Sequence, residues 1–264
     1  MTWLSIHLYP TDTQDIFLAR ALKPFLAQYI WPQKDARAFF VRYHDEKGPH
    51  IRIRMRGEAV WIDEVLKPAF EGWFVDRGEW AEVPYEPETA RFGGEAALAW
   101  AEEHFHISTR VVLDRIAKDQ FTYGDAMFDA LRLHAITAYS AGFSRERVRW
   151  YFGELFDQWL PLFFPTDEVG LEAEVTASFD TIFEPQQEKI TATLDAFWTS
   201  LEKEQLDPKQ PEWARWLHGN QLIVKGLEDD LEKALPSLLH LTNNRLGINN
   251  QDEVYLNYIL SKAM

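Results

Sequence analysis

Leu4, Ile6 and Leu8 alternate with polar neighbours, the two-residue period of a strand with one buried face. Over residues 12–30 the apolar spacing lengthens to three and four, which predicts a helix. Residues 38–43 and 50–56 are β-patterned again. The intervening HDEKGP, with Gly48 and Pro49, predicts an antiparallel pair joined by more than two residues. A helix near 62–74, a short strand near 80–83 and the loop YEPETARFGG follow, leading into a helix from about Gly94. In it Leu98, Ala101, Phe105, Val112 and Ile116 make one apolar stripe suited to packing on a sheet. From Asp125 onward the pattern is almost entirely helical, with breaks expected at Pro161 and Pro165, at Pro185, and at Pro208 with Pro211. Pro236 suits a first-turn position, Gly247 a helix end, and Asn250 with Glu253 a capping box. The expected fold is α+β, a small antiparallel sheet in the N-terminal part packed with a mostly helical remainder. It reads as one domain over 1–264, with an α+β part at 1–123 and a helical part at 124–264.

The 264 residues, 46% hydrophobic and with 11 Trp and 18 Phe, supply enough apolar surface to fold most of the length. The absence of cysteine excludes disulfides and thiolate chemistry and agrees with a reducing compartment, so a cytoplasmic location is expected. The opening MTWLSIHLYP has no signal-peptide pattern and no apolar run nears about 18 residues, which predicts neither export nor a membrane span. Against 27 basic residues stand 42 acidic ones, a net charge of −15. Such a field repels phosphate backbones, so no direct nucleic-acid partner is expected, whereas a basic peptide or protein is electrostatically easier.

Against that acidic background HIRIRMR stands out. Strand alternation puts Ile51, Ile53 and Met55 on one face and His50, Arg52, Arg54 and Arg56 on the other. Guanidinium groups offer carboxylates a planar fork that stays charged; the plainer reading is a solvated strand face paired with nearby Asp and Glu. In YEPETARFGG, Arg91 lies between Glu86 with Glu88 and the Gly93–Gly94 step, which suits an anion near a helix N-terminus or simply a turn. HLTNNR sets His240 and Asn244 on one helix face beside Arg245. There His240 would transfer protons near neutral pH, or the trio would serve packing and capping. His134 falls in line with Met127, Leu131 and Ala138 and reads as packed, while His104 and His106 point apart. With no HExxH, GxSxG or dinucleotide fingerprint, neither a catalytic metal nor another cofactor is expected.

In order along the chain, WLSIHLYP, FFVRYHDEKGPHIRIRMRG, YEPETARFGG and HLTNNRLGINNQDE resemble the C-terminal elimination domain of lantibiotic dehydratases, also found as separate thiopeptide-type bacteriocin biosynthesis proteins. The resemblance spans nearly the whole chain. It departs where the loop reads Ala-Arg-Phe-Gly-Gly for a more usual Glu-Arg-Tyr-Gly-Gly, and where Asn243 precedes the Asn-Arg pair. It implies a lyase that expels glutamate from glutamylated Ser or Thr of a ribosomally made precursor peptide, leaving dehydroalanine or dehydrobutyrine. It implies catalytic roles for Arg52, Arg54, Arg91 and His240, the arginines for the carboxylates and developing charge and His240 as general acid or base. Substrate binding by His50, Arg42, Asn244 and Arg245 is implied with them. The expected partners are the glutamylated peptide and a separate glutamylation enzyme, since 264 residues are too few to include that domain; the elimination step itself needs no tRNA. The aromatic content permits a homodimer. Two alternatives share the scaffold: a [4+2] cycloaddition enzyme that forms the thiopeptide pyridine, and a non-catalytic peptide-binding subunit.

Overall fold

The computed structural model describes residues 1–164 and 170–264. The break expected at Pro165 lies outside them. Chain contacts gather into two compact units, Met1–Phe121 with Gly226–Gly247, and Thr122–Lys225 with Ile248–Met264. The combination of a small antiparallel sheet with many helices is α+β, as the patterning predicts.

In the first unit four antiparallel strands, β1 (Thr2–Pro10), β2 (Arg37–Asp45), β3 (Gly48–Gly57) and β4 (Gly78–Glu82), lie in the order β2-β3-β1-β4. Leu4, Ile6 and Leu8 of β1 and Ile51, Ile53 and Met55 of β3 are all buried on one face. Helices α1 (Gln14–Phe17) and α2 (Lys23–Tyr29), joined by a π-helical turn, lie on that side of the chain's hairpin with α3 (Ala59–Trp61) and α4 (Lys67–Phe74). Their Phe25, Phe70 and Phe74 form one ring cluster, with Phe70 and Phe74 centroids 4.4 Å apart. Burying side chains of this size stabilises by about 1.5–3 kcal/mol each. Apolar periodicity thus fixes which way the sheet faces, and with it where the arginines go.

The opposite face carries His50, Arg52, Arg54 and Arg56, and it is not a solvated one: His50 is 0% and Arg54 only 8% exposed. The short turn α5 (Thr89–Phe92), then α6 (Glu95–Ile116) and α12 (Leu231–Leu246), belong to this unit, and α6 and α12 pack on β2 and on each other. At one end of this face Arg37 and Arg56 meet carboxylates, Glu103 at 2.6 Å and Glu102 at 3.2 Å.

Three local expectations are corrected. The β2–β3 connection is two residues, Glu46 and Lys47, because Asp45 pairs with Gly48. The Asp45 carboxylate accepts from Lys47 N at 2.9 Å, and Gly48 takes φ +113°, which closes the turn early. Pro236 lies inside α12 rather than in its first turn, since a short 3-10 turn, Glu228–Asp230, already starts the helix. Each interior proline forfeits one hydrogen bond, which the burial of Ala234, Leu235 and Leu238 offsets here. Pro161 likewise sits within α8 (Arg145–Phe163), in its last turn beside buried Leu160.

The free edge of β2 is closed by side chains. Ala38 N donates to His106 Nδ1 at 3.1 Å and Phe40 N to Thr109 Oγ1 at 3.3 Å. Asn244 accepts from Arg42 N at 2.9 Å and donates to Arg42 O at 3.0 Å, completing what a neighbouring strand would supply. Replacing Asn244 with Leu orphans both backbone groups, so a stability loss of about 1–3 kcal/mol is expected in denaturant titration. Burial, with Arg37 beside it, holds the His106 imidazole down to about 4 against its ordinary 6.5, and His7 behaves in the same sense. The unfolded chain therefore takes up these protons first as pH falls. The histidine contribution is fully present above about 6.5 and declines as pH drops toward 4. Glu102, whose carboxyl burial pushes up, works the other way and loses its contribution as pH rises. Denaturation midpoints should thus fall between pH 7 and 5, and fall less in His106→Gln.

The second unit is helical. It comprises α7 (Tyr123–Ser140), α8, α9 (Leu171–Phe183), α10 (Gln187–Glu202), most of α11 (Pro211–Leu227) and α13 (Asn250–Ala263). A capping box of Thr122 with Asp125 starts α7. Asn249, one residue before the expected position, caps α13 through Asp252 N. The proline-marked junctions at Pro185 and at Pro208 with Pro211 hold, Pro211 opening α11. His134 is buried and stacked on Phe152 at 5.8 Å, a packed histidine. No helix among the described residues is long and apolar enough to cross a membrane.

Candidate active site

One cavity of about 260 Å³ in the first unit is lined by Arg42, Arg52, Arg54, Arg91, His240 and Asn244. Six of the eight residues singled out from sequence therefore share a wall, although they come from two strands, a loop turn and a helix nearly 200 residues away. The rest of the lining is mostly apolar, aromatic or acidic. Phe39, Val41, Phe92, Leu98, Phe105 and Leu241 form a greasy side, and Glu86 and Glu88 stand at the loop. His50 and Arg245 do not line it; both are fully buried, His50 among the Tyr9, Tyr43 and His7 rings, and Arg245 behind Phe105 and Phe39.

Each arginine is held differently. Arg54 Nη1 donates to the carbonyls of Ile6 at 3.2 Å and Ile53 at 3.1 Å, and Nη2 contacts His7 Nε2 at 3.2 Å. All three acceptors are neutral, and no carboxylate among the described residues pairs with it. Burial, with Arg52 nearby, pulls the Arg54 guanidinium down to about 10. Arg52 lies flat on the Tyr43 ring at 3.3 Å and its Nε reaches His50 Nε2 at 3.4 Å, again with no carboxylate partner among the described residues. Arg91 donates through Nε to Ser237 Oγ at 2.7 Å and through Nη1 to Glu88 at 3.0 Å. The Gly93–Gly94 step behind it adopts φ +109° and +125°, and a Cβ on Gly93 would come within 2.2 Å of Asp230 Oδ1. The glycines therefore let α5 turn into α6 against the start of α12, which brings Arg91 to Ser237.

Arg42 is anchored to Asp15 at 2.6 Å and to Arg245 O at 3.0 Å, so its charge is largely met. Arg245 is the reverse. Its Nη1 donates to Leu241 O at 2.9 Å, Nε and Nη2 have no hydrogen-bond partner among the described residues, and burial lowers the guanidinium to about 9. Asn244 spends its amide on the Arg42 peptide, while His240, one turn earlier on α12, faces the cavity.

Two groups at this site escaped the sequence reading. Tyr85 lines the cavity and donates to the buried Glu102 at 3.0 Å; burial, then Glu102, raises its phenol above the ordinary value. His7, opposite Arg52 in the β1–β3 register, reaches Arg54. Tyr85 opens the YEPETARFGG stretch, but a lone tyrosine before a loop carries no chemical signature. His7 becomes legible only once the register is known. Among the described residues no cluster of three or more His, Cys, Asp or Glu is placed to hold a metal ion.

With excess positive charge in a chain of net charge −15, the cavity suits a small anion with more than one negative oxygen. The family model described as lantibiotic biosynthesis dehydratase C-term matches residues 3–264. The subtilin biosynthesis protein SpaB of Bacillus subtilis is 34% identical over 117 residues, 42% of this chain and 11% of SpaB, so the match spans about a tenth of that relative. Among solved structures, the pyridine synthase TbtD from thiomuracin biosynthesis superposes with a TM-score of 0.77 at 16% identity, covering 100% of this chain and 97% of TbtD. The tRNA-dependent lantibiotic dehydratase MibB from Microbispora sp. 107891 gives 0.66 at 21%, covering 99% of this chain and 28% of MibB. TsrL gives 0.70 at 14%, covering 99% and 94%. These likenesses show a shared fold.

Proposed function

We propose, because the chain belongs to the lantibiotic biosynthesis dehydratase C-terminal family, that it eliminates glutamate from glutamylated Ser or Thr of a ribosomally made precursor peptide. Members of the family modify peptides enzymatically, by dehydration or cyclisation. The observation that carries elimination is the pair Arg52 and Arg54, turned into one cavity with neutral acceptors and no carboxylate of their own among the described residues. A glutamyl ester brings a free carboxylate and releases a second one. Unpaired guanidinium groups are what such a leaving group needs, and a reaction between two neutral dehydroalanines does not.

In this reading a base takes the Cα proton, and the electron pair of that bond forms the Cα=Cβ double bond as the Cβ–O bond breaks, its pair leaving with glutamate as a carboxylate. Arg52, Arg54 and Arg91 hold the glutamyl group and the charge that grows on its oxygen, a role that lowers the barrier most when the donors are already in place. His240, facing the same cavity, moves the proton. A volume of about 260 Å³ fits an amino-acid-sized group, below the roughly 300–1,000 Å³ of drug-sized sites. The step uses no tRNA, the glutamyl group being delivered by a separate glutamylation enzyme.

The whole-length superposition on a pyridine synthase keeps cycloaddition as a second reading. The pure protein is to be offered a glutamylated Ser/Thr peptide and a dehydroalanine-rich peptide side by side, followed by mass spectrometry. Elimination predicts that the first loses glutamic acid and the second is unchanged; ring formation on the second with the first intact overturns the assignment.

A further inference from the structure

The anion-binding arginines are held by imidazoles where carboxylates would be the commoner partner. Arg54 Nη2 lies 3.2 Å from His7 Nε2, and Arg52 Nε lies 3.4 Å from His50 Nε2. The tautomer of His50 follows from its surroundings. Its Nδ1 faces Gly48 O at 3.4 Å and the Asp45 carboxylate at 3.7 Å, so that nitrogen carries the proton and Nε2 is the acceptor. The two rings lie 5.2 Å apart on neighbouring strands. Arg54 thus has three acceptors, two backbone carbonyls and one imidazole, for its five N–H groups. Its Nε–H and one Nη2–H have no acceptor among the described residues, donors that a carboxylate can take up.

We infer that His7 is a positioning residue for Arg54, a neutral acceptor that fixes the guanidinium without cancelling its charge. His7 does not line the cavity, so it works through Arg54 and not on the substrate. Burial, then the two arginines, keeps its ring neutral by holding it down to about 4. A carboxylate at this place would orient Arg54 equally well but would occupy it as an ion pair, leaving less attraction for a glutamyl anion. The inference rests on the elimination reading of the cavity.

The test uses full-length His7→Gln, His7→Leu and His7→Asp, with turnover of a glutamylated Ser/Thr peptide and the melting temperature of each. Gln keeps an acceptor at similar reach and should stay within about threefold of the parent. Leu should lose on the order of tenfold to a hundredfold in kcat with KM little changed, as loss of an orienting partner does. Asp should raise KM as well as lower kcat. If the parent protein eliminates but His7→Leu matches it, His7 positions nothing and the elimination reading stands. Gln failing like Leu, with both melting as the parent does, removes the acceptor role. A parent protein with no elimination at all overturns the functional reading, and this inference with it.

Discussion

Arg54→Ala is expected to lower kcat/KM for glutamate elimination by roughly 10²–10³, the usual cost of removing a preorganised donor from developing charge. Arg54 is only 8% exposed, fixed by Ile6 O, Ile53 O and His7, and turned to the cavity without a counter-ion among the described residues. Arg42 is tied to Asp15 and Arg91 to Glu88, and Arg52 lies on the Tyr43 ring, so none of the three lining arginines stands where Arg54 does. Arg54→Lys should recover little. An ammonium keeps the charge but not the fork, and its three N–H groups cannot serve two carbonyls, the His7 imidazole and a carboxylate at once. Steady-state kinetics on a glutamylated peptide decide the matter, and a loss of less than about threefold in the alanine variant would remove Arg54 from the chemistry.

Arg245→Met is expected to make the protein more stable and less active. A guanidinium with no exposed surface, one hydrogen bond and two nitrogens without hydrogen-bond partners among the described residues bears a desolvation cost that two ring contacts offset only in part. Exchange for an apolar side chain of similar length should stabilise by about 1–4 kcal/mol, several degrees in Tm. The same charge stands 5.0 Å from the Phe105 ring and 5.9 Å from the Phe39 ring, both of which line the cavity. A cation behind that wall adds to the positive field that an anionic substrate meets, so KM should rise. Retention of such a strained group is a trade of stability for function. A variant that melts lower than the parent contradicts this account of Arg245.

How much of this was legible beforehand depends on what each residue's role requires. The strand faces were, because the alternation of Ile51, Ile53 and Met55 with Arg52 and Arg54 leaves one register that buries the apolar set. The α6 stripe and the end of α12 at Gly247 were as well. The cover over the arginine face was not. It comes partly from α12, which returns to the first unit after more than 100 residues in the second, and no local period encodes that return. The two-residue hairpin was missed because the Asp45 side chain closes the turn together with Gly48, leaving Gly48 and Pro49 inside the second strand. Pro236 and Pro161 read as boundaries because propensity counts the lost hydrogen bond and not the burial around it. His7 and Tyr85 carry no motif, and Asn244 reads equally as a cap, a ligand or, as found, the clasp on a strand edge.

The most direct test of glutamate elimination is stoichiometric. A peptide bearing a single glutamyl-Thr ester is incubated with the pure protein, and free glutamate is counted against dehydrobutyrine formed. The account predicts one glutamate released for each dehydrobutyrine, at a rate that collapses in Arg54→Ala. Glutamate released with threonine regenerated, or an ester left intact by the folded protein, would contradict it.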